Sequence, residues 1–227
     1  MKAMVLAAGR GERMRPLTDS VPKPLLAVGG QPLIARHMQA LSRAGIREVV
    51  VNLSWLGGQI RAALGDGAAF GLSIRYSEEG PVPLETGGGV FRALPLLGPG
   101  PFVVVSGDIW TDYDFSRIAI APDALGQLVL VPNPPHHLQG DFGLQQGRVV
   151  DAEPRFNYGN IGIYRPEFFA GCTDGRFALV QPLRRAIAAG RLDGELYRGA
   201  WENIGTPAQL AALDARLRQA TRPPGVQ

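Results

Sequence analysis

A short apolar run near the start of the chain leads directly into a stretch that no regular helix or strand can accommodate. Residues 3–8 are all apolar, which predicts a buried strand of a parallel sheet. Residues 9–24 are crowded with glycine, proline and charged side chains, and so long an irregular stretch is uncommon unless it serves a function. Gly9 and Gly11 open it, and glycines let backbone N–H groups approach a ligand closely. A strand that ends in such a loop favours an open α/β fold with a site at the end of the strand.

The elements predicted after this loop alternate between helices and strands. Helices are predicted at 32–45, 59–64 and 87–94, and strands at 48–53, 72–76 and 102–105. This order favours a Rossmann-like, doubly wound α/β sheet that is mostly parallel. The second half is expected to make the sheet mixed, with strands at 128–131 and 161–164, a hairpin turn around Gln146 and Gly147, and helices at 180–189 and 208–220.

Composition excludes several classes of protein. With 45% apolar residues the chain can bury a core, but no apolar run approaches the roughly 20 residues of a membrane span. The net charge of +3 carries no long basic run, which argues against a nucleic-acid partner. Cys172 is the only cysteine, so no internal disulfide or cysteine metal cluster can form. Arg10 interrupts the N-terminal apolar run too early for a signal peptide, so we expect a cytoplasmic protein.

Positive charge is concentrated in the glycine-rich loop. Arg10, Arg13, Arg15 and Lys23 lie within fourteen residues, and the chain contains only one other lysine. This charge after a buried strand predicts an anion site, the alternative being an irregular surface loop with its arginines in water. Met14 stands where the dinucleotide fingerprint has its third glycine, which disfavours a dehydrogenase, and no Walker loop follows.

The full pattern of the loop resembles a known family. Residues 6–25 read Leu-Ala-Ala-Gly-x-Gly-x-Arg-Met-x-Pro-Leu-Thr-x-x-x-Pro-Lys-Pro-Leu, which is similar to the signature of the sugar-1-phosphate nucleotidyltransferases. Residues 84–89, 107–115 and 205–207 extend the resemblance over most of the chain. It implies one domain of the nucleotide-diphospho-sugar transferase type, with a nucleotide-binding half at 1–125, a sugar-binding half at 126–220 and a frayed tail at 221–227.

The resemblance also implies the reaction. A sugar 1-phosphate attacks the α-phosphorus of a nucleoside triphosphate, and pyrophosphate leaves. The particular sequences of residues 84–89 and 107–115 most resemble family members that use UTP and N-acetylmuramic acid α-1-phosphate, which are substrates of peptidoglycan recycling. The use of dTTP, GTP or CTP with another sugar 1-phosphate stays open. Mg²⁺ is the expected cofactor, and neither a nucleic acid nor a membrane is expected as a partner.

Site residues follow from the same resemblance. Arg13 is expected to bind the departing phosphates, Lys23 to bridge the two reacting phosphates, and Asp108 to hold Mg²⁺. The expected nucleotide contacts are Leu6, Ala7, Ala8, Gly9, Gly11, Thr86, Gly87 and Gly88. The expected sugar-phosphate contacts are Asp141, Gly143, Glu153, Arg155 and Asn160.

The chain departs from the family pattern at three places. Asn203 stands where the family has a second metal-binding aspartate, and the neighbouring Glu202 is expected to face the other way. An amide brings no charge, so the substitution is expected to weaken the metal site. It leaves open a non-catalytic nucleotide-sugar-binding protein, an active enzyme whose metal is brought in by the nucleotide, or a reduced dependence on a second ligand. Arg155 follows Glu153-Pro154 where the family has a lysine, and Asn160 replaces a glycine.

The remaining chemical side chains are given structural roles. His37 lies on the first predicted helix, and His136 and His137 lack a spaced third ligand for zinc. The other residues expected to cap turns or fill the core are Asp112, Asp114, Trp55, Trp110 and Trp201.

Overall fold

The computed structural model describes residues 1–221, and its elements follow the predicted order. The helices are α1 Leu33–Arg43, α2 Gly57–Leu64, α3 Glu85–Leu97, α4 Val180–Ala188 and α5 Pro207–Thr221. The strands are β1 Lys2–Leu6, β2 Ala27–Val28, β3 Gln31–Pro32, β4 Glu48–Leu53, β5 Ser73–Glu78, β6 Phe102–Ser106, β7 Ile109–Thr111, β8 Gly126–Val131, β9 Phe142–Gln145, β10 Arg148–Val150, β11 Arg155–Tyr164, β12 Leu192–Leu196 and β13 Trp201–Asn203.

Within residues 1–221, nine strands form one sheet in the order β5-β4-β1-β6-β11-β8-β12-β10-β9. The first four are parallel, as the alternation of strands and helices predicts. β11 runs antiparallel to β6 and β8, and β12 is parallel to β8. β9 also pairs with β11, so the sheet curls back on itself at this end. The predicted doubly wound, mixed α/β architecture is confirmed.

Helices cover both faces of the sheet, and β1 shows how its sequence allows this. Ala3 and Val5 pack in a core with side chains of α1 and α2, whereas Met4 packs on the opposite face with α3 and α4. All three side chains are fully buried. Side chains alternate between the faces of a strand, so a strand covered on both sides must be apolar throughout.

The predicted hairpin turn is present between β9 and β10. Gln146 and Gly147 both have positive φ, 49° and 79°, which is the backbone of a two-residue turn matched to the twist of the strands. At the other end of the chain, Thr206 Oγ1 accepts the backbone N–H of Gln209 at 3.3 Å, as expected of a cap on α5.

Some elements differ from the prediction. The short strands β2, β3, β7, β12 and β13 were not predicted, because they have two to five residues and three of them pair with strands far along the chain. Thr221 is the last residue of α5, so the first residue of the expected tail is helical, and residues 222–227 lie outside the described part. No helix within residues 1–221 combines the length and hydropathy of a membrane span.

Candidate active site

A cavity of about 460 Å³ opens where the neighbouring strands β1 and β6 end. The carboxyl ends of parallel strands meet at one edge, which is the usual place for a ligand in this kind of sheet. The predicted residues that line it are Leu6, Ala7, Ala8, Gly9, Gly11, Arg13, Lys23, Thr86 and Asp108. The structure therefore brings together all three predicted catalytic residues and most of the predicted nucleotide contacts.

Residues 9–24 fold into a compact loop with two 3₁₀ turns, and a third begins at Lys23. Gly11 has φ +68°, and a Cβ there would lie 3.1 Å from both Lys23 Cβ and Thr18 Cγ2. The Thr18 hydroxyl donates to the Gly11 carbonyl at 2.8 Å. Both the backbone conformation and the close approach of Lys23 therefore require glycine at position 11.

A tryptophan outside the buried core supports this loop. The guanidinium of Arg10 lies 4.0 Å from the centre of the Trp55 ring, and the indole N–H donates to the Thr18 carbonyl at 3.1 Å. Gln59 adds a hydrogen bond of 2.9 Å to the Ser20 carbonyl. Trp55, between β4 and α2, and Gln59 of α2 thus hold the loop by one cation–π contact and two hydrogen bonds, so the prediction that Trp55 fills the core is wrong.

Lys23 and Asp108 form an ion pair inside the cavity. Lys23 Nζ lies 2.5 Å from Asp108 Oδ2, and the Ser106 hydroxyl donates to Asp108 Oδ1 at 2.6 Å. The lysine side chain is 9% exposed and the aspartate 29%. Burial raises the pKa of Asp108, but the charge and hydrogen bond of Lys23 and the hydrogen bond of Ser106 outweigh it and hold that pKa below its usual value. The carboxylate is therefore ionised at neutral pH.

The backbone of β13 connects Asn203 to the segment that carries Asp108. β13 runs antiparallel to β7 with Asn203 opposite Ile109, and the N–H of Ile204 donates to the Asp108 carbonyl at 3.0 Å. Asn203 Oδ1 is buried and has no hydrogen-bond partner within residues 1–221. Glu202 is bound by Arg216 instead. A buried acceptor without a partner could be satisfied by a hard cation such as Mg²⁺.

The donor set for a metal is small. Among the described residues no group of three or more histidines, cysteines and carboxylates could hold an ion. Asp108 and Asn203 would therefore hold a cation only together with oxygens from a bound substrate, which is how Mg²⁺ commonly binds beside phosphates.

Two buried polar residues of this cavity were missed in the sequence. Asn52 Oδ1 accepts the N–H of Ala7 at 2.7 Å, and its Nδ2 donates to Glu79 Oε1 at 2.6 Å. Glu79 Oε2 accepts the N–H of Leu84 at 2.7 Å. Asn52 is the penultimate residue of an apolar strand next to β1, and this position at the functional edge was the signal that could have found it.

The glycines at the start of α3 serve packing. A Cβ on Gly87 would lie 2.5 Å from the Phe177 ring, and one on Gly88 would lie 2.1 Å from the Gly175 carbonyl. A Cβ on Gly89 would lie 2.4 Å from Glu79 Oε1. Thr86 lines the cavity, whereas Gly87 and Gly88 do not; these two glycines let α3 pack closely against the loop that contains Gly175 and Phe177.

A second cavity of about 470 Å³ adjoins the first and shares Arg13 and Thr86 with it. From the predicted sugar-phosphate set it contains Asp141 and Asn160. The Asp141 carboxylate faces His137 Nε2 at 3.1 Å and accepts the N–H of Tyr158 at 2.7 Å. Asn160 has φ +55°, a conformation that asparagine tolerates better than most residues, which explains how it replaces a glycine.

The other three residues of that set lie elsewhere. A Cβ on Gly143 would lie 2.2 Å from the Ala152 carbonyl, so this glycine serves the packing of the hairpin. Arg155 pairs with Asp151 at 2.8 Å and with Glu153 at 3.2 Å, and its Nη1 donates to the backbone carbonyl of Asp141 at 3.1 Å, so it supports the second cavity from behind without lining it. Glu153 and Arg155 line a separate cavity of about 560 Å³. The structure does not bring them together with Asp141 and Asn160 in the second cavity.

Two expected structural roles are confirmed. His37 is buried, its Nε2 lies 2.9 Å from the Ile109 carbonyl, and burial lowers its pKa to about 4 despite that bond and the charge of Asp108. Asp114 accepts the N–H of Ser116 at 3.0 Å as a cap. Asp112 accepts the hydroxyl of Tyr197.

Known proteins resemble this chain in sequence and structure. A sequence model described as nucleotidyl transferase matches residues 2–152. The N-acetylmuramate α-1-phosphate uridylyltransferase of Neisseria meningitidis serogroup B is 48% identical, over 95% of this chain and 97% of that protein. The protein of the same name from Caulobacter vibrioides is 35% identical, over 96% and 97%. A Bacillus anthracis structure with bound sucrose, provisionally assigned as a glucose-1-phosphate thymidylyltransferase, has a TM-score of 0.84 at 20% identity, covering 98% of this chain and 97% of that one, which shows the fold alone.

Proposed function

The chain belongs to the nucleotidyl transferase family, and on that premise we propose that it transfers a uridylyl group from UTP to N-acetylmuramic acid α-1-phosphate. The products are UDP-N-acetylmuramic acid and pyrophosphate. The observation that carries the transfer chemistry is the Lys23–Asp108 ion pair in the first cavity, which adjoins the second cavity at Arg13 and Thr86. The choice of UTP and of this sugar is supported by the two uridylyltransferase relatives.

We propose that UTP occupies the cavity of about 460 Å³ in the nucleotide-binding half. The bare backbone from Leu6 to Gly11 can approach phosphates without side-chain obstruction. Asn52 and Glu79 supply buried hydrogen-bonding groups, and an acceptor there suits the N3–H of uracil. A base held largely by such fixed polar groups would be distinguished by its donor and acceptor pattern.

The sugar 1-phosphate is proposed to occupy the neighbouring cavity in the sugar-binding half. Asp141 and Asn160 offer acceptors and donors for hydroxyl groups, while Leu179 and Val180 give the cavity an apolar wall. Arg13 lines both cavities, so one guanidinium can reach phosphates on either side. In the proposed arrangement, the two anionic substrates lie end to end.

The reaction joins two groups that repel each other. A phosphate oxygen of the sugar 1-phosphate forms a bond to the α-phosphorus of UTP, and the bond from that phosphorus to the β-phosphate oxygen breaks. We assign Lys23 to neutralise the two phosphates as they meet, since a compact ammonium fits between crowded oxygens. Arg13 is assigned to the pyrophosphate as negative charge accumulates on it.

Mg²⁺ is the proposed cofactor, with Asp108 and Asn203 as the residues that would hold it. When bound, such an ion would add positive charge beside the phosphate oxygens. Asn203 brings no charge of its own, so we expect weaker metal binding than with two carboxylates. We further propose that the protein acts in the cytoplasm in peptidoglycan recycling, where UTP is available.

The proposal is tested by measuring pyrophosphate release in the presence of Mg²⁺. UTP, dTTP, GTP and CTP are each paired with a panel of sugar 1-phosphates, and UTP with N-acetylmuramic acid α-1-phosphate should give the highest kcat/KM. Preference for another pair would make the chain a different member of the family. Measurable UTP binding without turnover of any pair would make it a non-catalytic binding protein.

A further inference from the structure

A third cavity, of about 340 Å³, adjoins the cavity proposed for the sugar. The two share His136, Trp201 and Asn203, so a group attached to a sugar in one can extend into the other. We call the third cavity the side chamber and define it by Val131, Pro132, Pro134, Pro135, His136 and Gln209. None of the roles described so far uses it.

The walls of the side chamber combine apolar surface with hydrogen-bond donors. Four of the six defining residues are valine or proline, and prolines add no backbone N–H. The imidazole of His136 has no hydrogen-bond partner among residues 1–221. Gln209 Oε1 accepts the N–H of Gly205 at 2.8 Å, which leaves its amide N–H groups as donors without a partner in the described part of the chain.

The neighbouring polar side chains already have partners in hydrogen bonds or ion pairs. His137 faces the Asp141 carboxylate at 3.1 Å, and the indole N–H of Trp201 donates to the Gly159 carbonyl at 2.8 Å. The carboxylate of Glu202, which also reaches the chamber, is bound by Arg216. His136 and Gln209 therefore remain as donors available to a ligand in the chamber, together with the amide of Asn203, which the chamber shares with the sugar cavity.

We infer that the side chamber is a subsite for a carboxylate-bearing substituent on the sugar, with His136 and Gln209 donating to the carboxylate. The inference rests on the proposed function, because N-acetylmuramic acid differs from N-acetylglucosamine by a lactic acid ether. That ether carries a carboxylate and a methyl group. The donors of the chamber match the carboxylate, and its proline wall matches the methyl group. The chamber then sets the selectivity of the enzyme between these two sugars.

The test compares two substrates in three proteins. The kcat/KM with UTP is measured for the α-1-phosphates of N-acetylmuramic acid and N-acetylglucosamine, in the wild type, His136→Ala and Gln209→Glu. The wild type should prefer the carboxylated sugar. His136→Ala should lower kcat/KM for the N-acetylmuramic acid substrate by about tenfold, because a hydrogen bond to a charged group is lost. The kcat/KM for the N-acetylglucosamine substrate should change by less than about twofold. Gln209→Glu keeps an acceptor for Gly205 but adds a negative charge. It should therefore lower kcat/KM for the carboxylated sugar by more than His136→Ala does.

Two results would overturn the inference. Equal losses of kcat/KM on both sugars would mean that His136 contacts the phosphate or the ring that both share. No loss of kcat/KM on either sugar in both variants would mean that the chamber is not used. Failure of the proposed function looks different, because the wild type would then convert neither sugar with UTP. In that event, titration calorimetry of the two sugar phosphates decides. A preference of at least about fivefold for the carboxylated sugar that His136→Ala removes supports the chamber, and equal binding rejects it.

Discussion

The parallel part of the sheet, β5-β4-β1-β6, and the mixed part, β8 to β12, build their shares of the candidate site in different ways. In the parallel part, the site lies at the shared edge where β1 and β6 end, and it uses backbone and a buried ion pair. In the mixed part, the site uses side chains from a proline-rich loop and from an irregularity in β11. Parallel strands bring their carboxyl ends to one edge, whereas antiparallel strands send successive loops to opposite edges.

The difference has a consequence for function. The parallel part holds its groups by many mutual contacts, from Trp55 through Thr18 to Gly11 and Lys23. The mixed part contains donors that nothing in the described chain engages, such as the imidazole of His136. We expect the first region to fix the chemistry and the second to set which sugar is accepted.

The largest effect is expected from Lys23→Ala in the parallel part. The kcat should fall by about 10³-fold, because a charge that stabilises the transition state is removed, while UTP binding should weaken far less. Lys23→Arg is the matched control and should recover only part of the rate, since a planar guanidinium does not replace a point charge. Steady-state kinetics and UTP titration check this, and a fall in kcat of less than tenfold would contradict it.

A smaller effect is expected at Trp55, which supports the glycine-rich loop of the parallel part. Trp55→Leu should raise the KM for UTP by about tenfold, through loss of both the Arg10 contact and the hydrogen bond to Thr18. Trp55→Phe keeps a ring for Arg10 and should raise it by less. The kcat and the KM for the sugar phosphate should stay within about twofold of the wild-type values. If Trp55→Leu instead impairs kcat and both KM values to a similar degree and lowers the Tm, the role of Trp55 is in stability alone.

Metal dependence tests the point where the two regions meet. Asn203→Asp should lower the Mg²⁺ concentration for half-maximal activity by about fivefold, because a carboxylate adds charge beside Asp108. Asn203→Ala should raise it. Activity titrated against Mg²⁺ checks both, and an unchanged requirement in the two variants would remove Asn203 from the metal site.

The smallest effect is expected at Arg155 in the mixed part. The guanidinium of Arg155 does not line the sugar cavity: it pairs with Asp151 and Glu153 and touches Asp141 only at its backbone carbonyl, so Arg155→Ala should change the KM for the sugar phosphate by less than about twofold. Asp141→Asn is the comparison variant and should raise that KM by about tenfold, since Asp141 lines the cavity. A tenfold effect at Arg155 would return it to the phosphate site that the family resemblance suggests.

The sequence was most informative where neighbouring residues act together. Lys23 and Arg13 lie in one loop after an apolar strand, so their gathering at one cavity could be predicted from their spacing. Asn52 and Glu79 are 27 residues apart and meet only because β4 and β5 are adjacent in the sheet. No local pattern encodes that meeting.

Contacts between distant segments also bear on the two glycines of α3 and on His136. Gly87 and Gly88 look like a ligand-binding glycine run, but their lack of a Cβ is used by Phe177 and Gly175, nearly 90 residues away. His136 gave no local signal, since its position beside Trp201 and Asn203 depends on how β8 and β13 are brought together. Roles decided by packing between distant segments could not be predicted from one sequence.

A crystal structure with Mg²⁺ and UDP-N-acetylmuramic acid tests the division of labour between the two regions most directly. The expected result is uracil beside Asn52 and Glu79, the diphosphate against Lys23 and Asp108, and the sugar ring beside Asp141 and Asn160. A sugar ring in the cavity at the ends of β1 and β6, or uracil in the cavity beside Asp141, would contradict it.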